Sequence, residues 1–374
     1  MKLSSLQTPC VLIEQSKLER NIDRMQAAAD KGGKRLRPHA KTHKSPDLAL
    51  IQIARGAVGI CCAKLGEAEV FADHNIPDIR LPYPLHPVNG ERVLGLLDRT
   101  RFSFIVDHMD VARGWSDVMQ RAGREVDVLV KVDVGFHRCG IDPDPSTAAD
   151  FVARIAGMPG LRFRGLLSHA GHAYAAASEA HTFSIAQEEA RLLTTLRDRI
   201  VERGVAVEEI SVGATPTARF SLQLEGITEA RPGNYVYYDR MQVALGSATW
   251  DDCALTVLTR VVSRPATDRI ILDSGSKTLT SDQIRGAGAT AGYGAVLESV
   301  DASVQDERLQ IERLSEEHAT VSVRGDDCRL VPGDLVRVIP NHSCVVSNLV
   351  DEAWIVNGDE VMDRLAIAAR GRIA

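Results

Sequence analysis

The sequence predicts an α/β fold, a (β/α)8 TIM-like barrel followed by a second, C-terminal β-rich domain. Three observations carry that prediction. From about residue 15 to 240, short β-branched runs alternate with longer segments whose apolar residues recur every three or four positions, the pattern of parallel βα units. After about residue 243 the long helical patterns stop, and the chain reads as strands broken by Gly, Pro and Asp turns. With 374 residues, 44% of them hydrophobic, the chain can bury a large core and a smaller one.

Taken in order, the predicted barrel strands are 35–42, 59–64, 79–84, 101–107, 126–135, 162–169, 208–213 and 233–239. Between them lie stretches such as SPDLALIQIARG and NGERVLGLLDRT, which often begin with Ser or Asn and end near Gly, as amphipathic helices do. Eight such units fit a closed barrel, whose chemistry sits at the C-terminal ends of the strands; an open, doubly wound sheet is the alternative. The barrel is assigned to residues 15–242 and the β domain to 243–374, joined by an N-terminal strand at 8–14. The segment GAGATAGYGA (286–295) reads as a loop.

A net charge of −6, without a Lys/Arg-rich run, gives no electrostatic reason to expect nucleic acid or an anionic membrane as partner. No uncharged apolar run approaches the roughly 20 residues that span a bilayer, and the start lacks a secretory pattern, so a cytoplasmic location is expected. The seven cysteines, at 10, 61, 62, 139, 253, 328 and 344, are odd in number and scattered, which favours reduced thiols. Small molecules are the expected ligands.

The stretch RPHAKTHK (37–44) concentrates titratable nitrogens at the end of the first predicted strand. Alternation would put Arg37, His39, Lys41 and His43 on the face lining the barrel, and Lys44 on the other. A lysine desolvated there beside other cations can become a free amine able to form a Schiff base. A solvated basic loop is the competing reading.

PHAKTHK, followed by GICCAKLGEAEVF, VDVGFHRCG, GLLSHAGHAY, RPGNYVYYDR and PNHSCVVSNL in this order, resembles the family of D-threonine aldolases and eukaryotic-type D-serine dehydratases. These are pyridoxal phosphate enzymes with an alanine-racemase-like fold, and the resemblance runs from about residue 8 to the end. It implies that Lys41 carries the cofactor, with His39 and Arg37 framing it, and that Arg138 stands near the cofactor's phenolate oxygen.

In SVGATPT, Gly213, Ala214 and Thr215 could cradle phosphate with backbone N–H groups and a hydroxyl, although a plain strand-to-helix turn would look the same. Gly233, Asn234 and Tyr235 match the family's second phosphate-binding segment, and loops after the seventh and eighth strands are the usual barrel phosphate site. His169 and His172 close the sixth strand, where one acid/base role is expected. The aldolases often carry tyrosine where His169 stands.

His342 and Cys344, two apart on a predicted strand, can face one ion, and the resemblance implies a divalent metal: manganese, zinc or magnesium. Bacterial D-threonine aldolases resemble His-x-Asp with manganese here, whereas cysteine leans towards zinc, as in the dehydratases. The implied activity is retro-aldol cleavage of a 3-hydroxy-D-amino acid such as D-threonine, with the metal on the β-hydroxyl and His169 or His172 taking its proton. Elimination from D-serine or D-3-hydroxyaspartate is the alternative; a racemase or a non-catalytic pyridoxal phosphate-binding protein is remoter. The resemblance also implies a homodimer.

Overall fold

A computed structural model of the chain describes residues 1–284 and 291–374. Part of the predicted loop at 286–295 therefore lies outside the described residues. Eight parallel strands stand in the order Arg35–Leu36, Glu229–Ala230, Glu209–Val212, Leu161–Leu167, Val126–Lys131, Arg101–Val106, Asp78–Pro84 and Ile60–Cys61. A parallel bridge between His39 and Cys61 joins the two ends into a ring. Helices cover the outside, and their ends carry expected signals: Pro145 opens one helix behind Asp144, whose carboxylate accepts from the Ser146 and Thr147 amides, and Gly123 closes another at φ 60°.

Two predicted strands need correction. The run 233–239 is a 3-10 turn, Asn234–Val236, leading into the helix Arg240–Ala244; the eighth strand is Glu229–Ala230. The Asn234 carbonyl accepts from the Tyr237 and Tyr238 amides at 3.0 and 2.8 Å, so the backbone curls, and Tyr235 and Tyr237 are fully buried by packing rather than by pleating. The first strand ends at Leu36 rather than at residue 42. Pro38 brings no N–H to a ladder, and the amides of His43 and Lys44 both turn back to the Ala40 carbonyl, at 3.2 and 2.8 Å. From residue 40 the period is that of a helical turn, and the predicted alternation fails.

The barrel's lower interior is filled by charge. Arg80 bonds Glu209 and Glu229, and Arg37 bonds Glu229 and Asp78, all within 3.4 Å. These buried ions satisfy one another and leave the opposite, C-terminal mouth as the open end of the barrel.

Among the described residues the second sheet has nine strands. Its central path runs Leu309–Leu314, Ala319–Val323, Arg269–Leu272, Leu255–Ala266, Cys10–Glu14, Glu352–Asn357 and Glu360–Ala366, while Leu335–Ile339 pairs with both Leu255–Ala266 and Ala295–Leu297. The N-terminal strand lies inside this sheet, antiparallel to residues 255–258 and parallel to 354–356. All seven cysteines are free, and among the described residues no helix is long and apolar enough to cross a membrane.

Candidate active site

Between residues 36 and 46, Lys41 alone is exposed; its neighbours are buried, apart from half-buried His39. The turn at residues 40–44 throws Lys41 into the barrel mouth and folds the flanking side chains away. His43 points into the core, where its ring meets Gln52 at 3.2 Å and the Ser45 amide at 3.1 Å. Lys44 is spent on a buried ion pair with Glu67 at 2.7 Å. Desolvation inside the mouth holds the Lys41 amine below its ordinary range; Arg138 and Arg231 act the same way, against the pull of Cys344 and Glu67.

Around Lys41 stand His39, His169, Arg138, Arg231 and Cys344. His169 Nδ1 lies 2.6 Å from the Gly213 carbonyl oxygen, which can only accept, so Nδ1 carries the proton and Nε2 keeps its lone pair. Burial, then the cations Lys131, Lys41, Arg138 and Arg231, hold His169 well below the usual histidine range. His39 is depressed likewise, first by burial and then by Lys41. Phe136 packs edge-on to His169 and lies under the Arg138 guanidinium at 5.1 Å, so one ring steadies both groups. His172 stands further out, against Gly135 and under the influence of Asp133, His181 and His137.

Gly213, Ala214 and Thr215 form the turn into the helix Thr215–Ser221. The Thr215 hydroxyl accepts the Asn234 amide at 3.1 Å, bringing the two predicted phosphate segments together. A Cβ on Gly233 would stand 2.9 Å from Thr42 Oγ1 and 3.0 Å from the His39 carbonyl, so this approach admits only glycine without movement. The Tyr235 side chain faces the other way, its hydroxyl accepting from Gln52 at 2.9 Å; only its backbone is available to the mouth.

His342 and Cys344 are not on a strand, which corrects the sequence expectation. The strand Leu335–Ile339 ends before Pro340, His342 caps the helix Ser343–Ser347, and Cys344 lies in its first turn. The two side chains still meet. Asp282 holds His342 Nδ1 at 2.7 Å, leaving Nε2 for the sulfur, and Thr42 Oγ1 lies 3.2 Å from Cys344 Sγ. Burial opposes charge on both, yet the pair wins: Cys344, Asp282 and Asp239 lift His342 to about 11, and His342 and Thr42 hold the thiol below its ordinary range.

These residues fit both expected groups. For pyridoxal phosphate there is an exposed lysine whose pKa is held below its ordinary range, a glycine-walled approach at residue 233, and a buried Asn234 Oδ1 that makes no hydrogen bond. For a metal there is a thiol whose pKa the neighbouring His342 lowers and a histidine oriented by a carboxylate, as metal-ligating histidines usually are. Among the described residues no cluster of three or more His, Cys, Asp or Glu side chains completes a closed metal site.

Residues 13–241 match the alanine racemase N-terminal domain, and residues 254–356 match a putative serine dehydratase domain. The chain belongs to the D-threonine aldolase and D-serine dehydratase family. This is a pyridoxal phosphate-dependent family with an alanine-racemase-like fold. D-threonine aldolase of Arthrobacter sp. is 32% identical over 99% of this chain and 94% of its own length. D-serine dehydratase of Dictyostelium discoideum is 27% identical over 96% of this chain and 95% of its own. The solved D-threo-3-hydroxyaspartate dehydratase of Delftia sp. HT23 superposes with a TM-score of 0.91 at 28% identity, covering 98% of each chain. Its solved forms include a histidine-to-alanine variant and a metal-free cysteine-to-alanine variant, the two substituted positions lying two residues apart.

Several residues at this family member's mouth escaped the sequence reading. Arg231 is buried, donates to the Ser211 hydroxyl at 2.8 Å and to the Ser168 carbonyl, and underlies Gly213. Lys131 closes the fifth barrel strand, where burial and Arg231 push it down to about 7. Asp239 joins the loop at 233–239 to the helix at Ser343. Arg231 and Asp239 lie inside the quoted RPGNYVYYDR and Lys131 directly before VDVGFHRCG, but nothing in composition or spacing marks a single buried charge.

Proposed function

We propose that this chain is a pyridoxal phosphate- and divalent metal-dependent lyase that cleaves 3-hydroxy-D-amino acids between Cα and Cβ, D-threonine giving glycine and acetaldehyde. The observation that carries this reading is the placement of Lys41, alone exposed in its turn, within electrostatic reach of Cys344, Arg138 and His169. Pyridoxal phosphate, when bound, supplies the electron sink for the carbanion left at Cα.

The chain's own residues supply the rest. Lys41 offers a desolvated amine for covalent attachment of the cofactor and release on substrate entry. Gly213, Ala214, Thr215, Gly233 and Asn234, with the backbone of Tyr235, would hold phosphate, and Arg138 would favour the phenolate oxyanion. His342 and Cys344 would hold the ion that acidifies the substrate's β-hydroxyl. His169 Nε2, with its tautomer set by Gly213, would accept the proton of that hydroxyl as the Cα–Cβ bond breaks. His172, at the rim, is the weaker candidate for that role.

One observation favours a second reading, β-elimination from D-serine or D-3-hydroxyaspartate. His342-x-Cys344 has the spacing of the histidine and cysteine replaced in the Delftia dehydratase variants. Product analysis decides between the two. Cofactor-loaded protein is given D-threonine with zinc and, separately, manganese; glycine plus acetaldehyde supports the aldolase, and 2-oxobutanoate plus ammonia replaces it with the dehydratase. The proposed working unit is a homodimer, and a monomeric mass by sedimentation would refute that.

A further inference from the structure

The turn holding His342 and Cys344 touches both segments assigned to the cofactor. Cys344 Sγ lies 3.2 Å from the hydroxyl of Thr42, which follows Lys41 in the chain. Asn234 Nδ2 reaches the same sulfur at 3.6 Å and the Ser343 hydroxyl at 3.1 Å, while the Asn234 amide is held by Thr215. Asp239 is the centre of this knot. Its Oδ2 accepts from Asn234 Nδ2 at 2.6 Å, from the Ser343 amide at 3.0 Å and from the Ser343 hydroxyl at 3.3 Å, and its Oδ1 accepts from the Gln242 amide at 3.0 Å. Thr42, Asn234, Asp239 and Ser343 are all buried, so water does not substitute for these bonds.

Two ligands that contact the same hydrogen-bonded, buried groups do not bind independently. A ligand that shifts any of Asn234, Asp239, Ser343 and Thr42 shifts the others through these bonds, so the second ligand meets them as the first has placed them. Opposite charges on a phosphate and a divalent ion act with the same sign. We propose that the ion on His342 and Cys344 and the phosphate-bearing cofactor bind cooperatively, coupled through Asp239, Asn234 and Thr42. This rests on the cofactor and ion assigned above and adds a linkage between them. The coupling factor must be equal in both directions.

The test uses the full chain stripped of metal and cofactor. Pyridoxal phosphate is titrated with and without zinc, following the visible absorbance of its linkage to lysine, and zinc is titrated by calorimetry with and without pyridoxal phosphate. Each is expected to tighten the other by the same factor, about fivefold or more. In Asp239→Asn an NH2 meets a donor whichever way the amide is turned, so the factor should fall towards one while each ligand still binds alone. Ser343→Ala deletes only a hydroxyl and should lower the factor less; it decides the matter if Asp239→Asn does not fold. Zinc and pyridoxal phosphate binding with no mutual effect would overturn the coupling and leave the proposed function standing. Failure of either to bind the wild-type protein would overturn both, and undiminished coupling in the variants would refute the role of Asp239.

Discussion

Lys41 and Lys44 are three residues apart and chemically identical, yet the fold gives them opposite tasks. Lys44 neutralises Glu67 in a buried pair, while Lys41 is left facing the mouth. Lys41→Ala should therefore abolish the visible absorbance band of lysine-linked pyridoxal phosphate, whereas Lys44→Met should keep the band. Lys44→Met should instead destabilise the protein by about 3 kcal/mol in urea unfolding, because it leaves a buried carboxylate without its partner. His43 gives a pH prediction. Burial depresses its pKa to about 4, while the unfolded chain titrates at about 6.5. As pH falls from about 6.5 the unfolded state takes up a proton that the folded state refuses. Stability present above that pH is lost down to about pH 4, at up to about 1.4 kcal/mol per pH unit. Urea midpoints at about pH 7 and about pH 5 should differ less in His43→Gln than in wild type.

At the scale of elements, the turns that replace predicted strands make the site. Had residues 35–42 continued as a strand, His43 would share Lys41's face; closure of the turn at residues 40–44 separates them. The curl of residues 234–238 likewise brings Asn234 beneath Cys344. Gly233 permits this by lying against His39 and Thr42, so Gly233→Ala must push the two loops apart. Its affinity for pyridoxal phosphate should fall about tenfold, equivalent to about 1.4 kcal/mol, in the same absorbance titration; unchanged affinity would show that the loops part without consequence. Much of this site was legible as motifs, since Lys41, His169, Arg138 and Cys344 were picked out and do converge. Their local backbone was not, because Pro38, Pro340 and the buried tyrosines redirect the chain through contacts with distant segments.

Across the whole molecule, a charged layer fills the lower barrel, an N-terminal strand lies inside the second sheet, and the barrel loops meet the His342 turn at Thr42, Asn234 and Asp239. Glu229 holds the charged layer together, accepting from Arg37, Arg80 and Ser211 while fully buried. Glu229→Gln should cost about 3 kcal/mol in urea unfolding, since two buried arginines lose a shared counterion; a loss under about 1 kcal/mol would mean that Glu209 and Asp78 suffice. The eighth strand that carries Glu229 is two residues long, too short for any periodic signal. Periodicity and turn chemistry, read from the sequence alone, determined the barrel and the change to a β-rich second half, because these depend on neighbours within a few positions; the candidate site residues came from the resemblance of their motifs to the family. The tertiary structure alone decided which lysine is free, which histidine keeps its lone pair, and that Asp239 ties the barrel loop to the His342 turn. Those outcomes depend on burial and on partners far away in the chain, and local pattern carries no record of either.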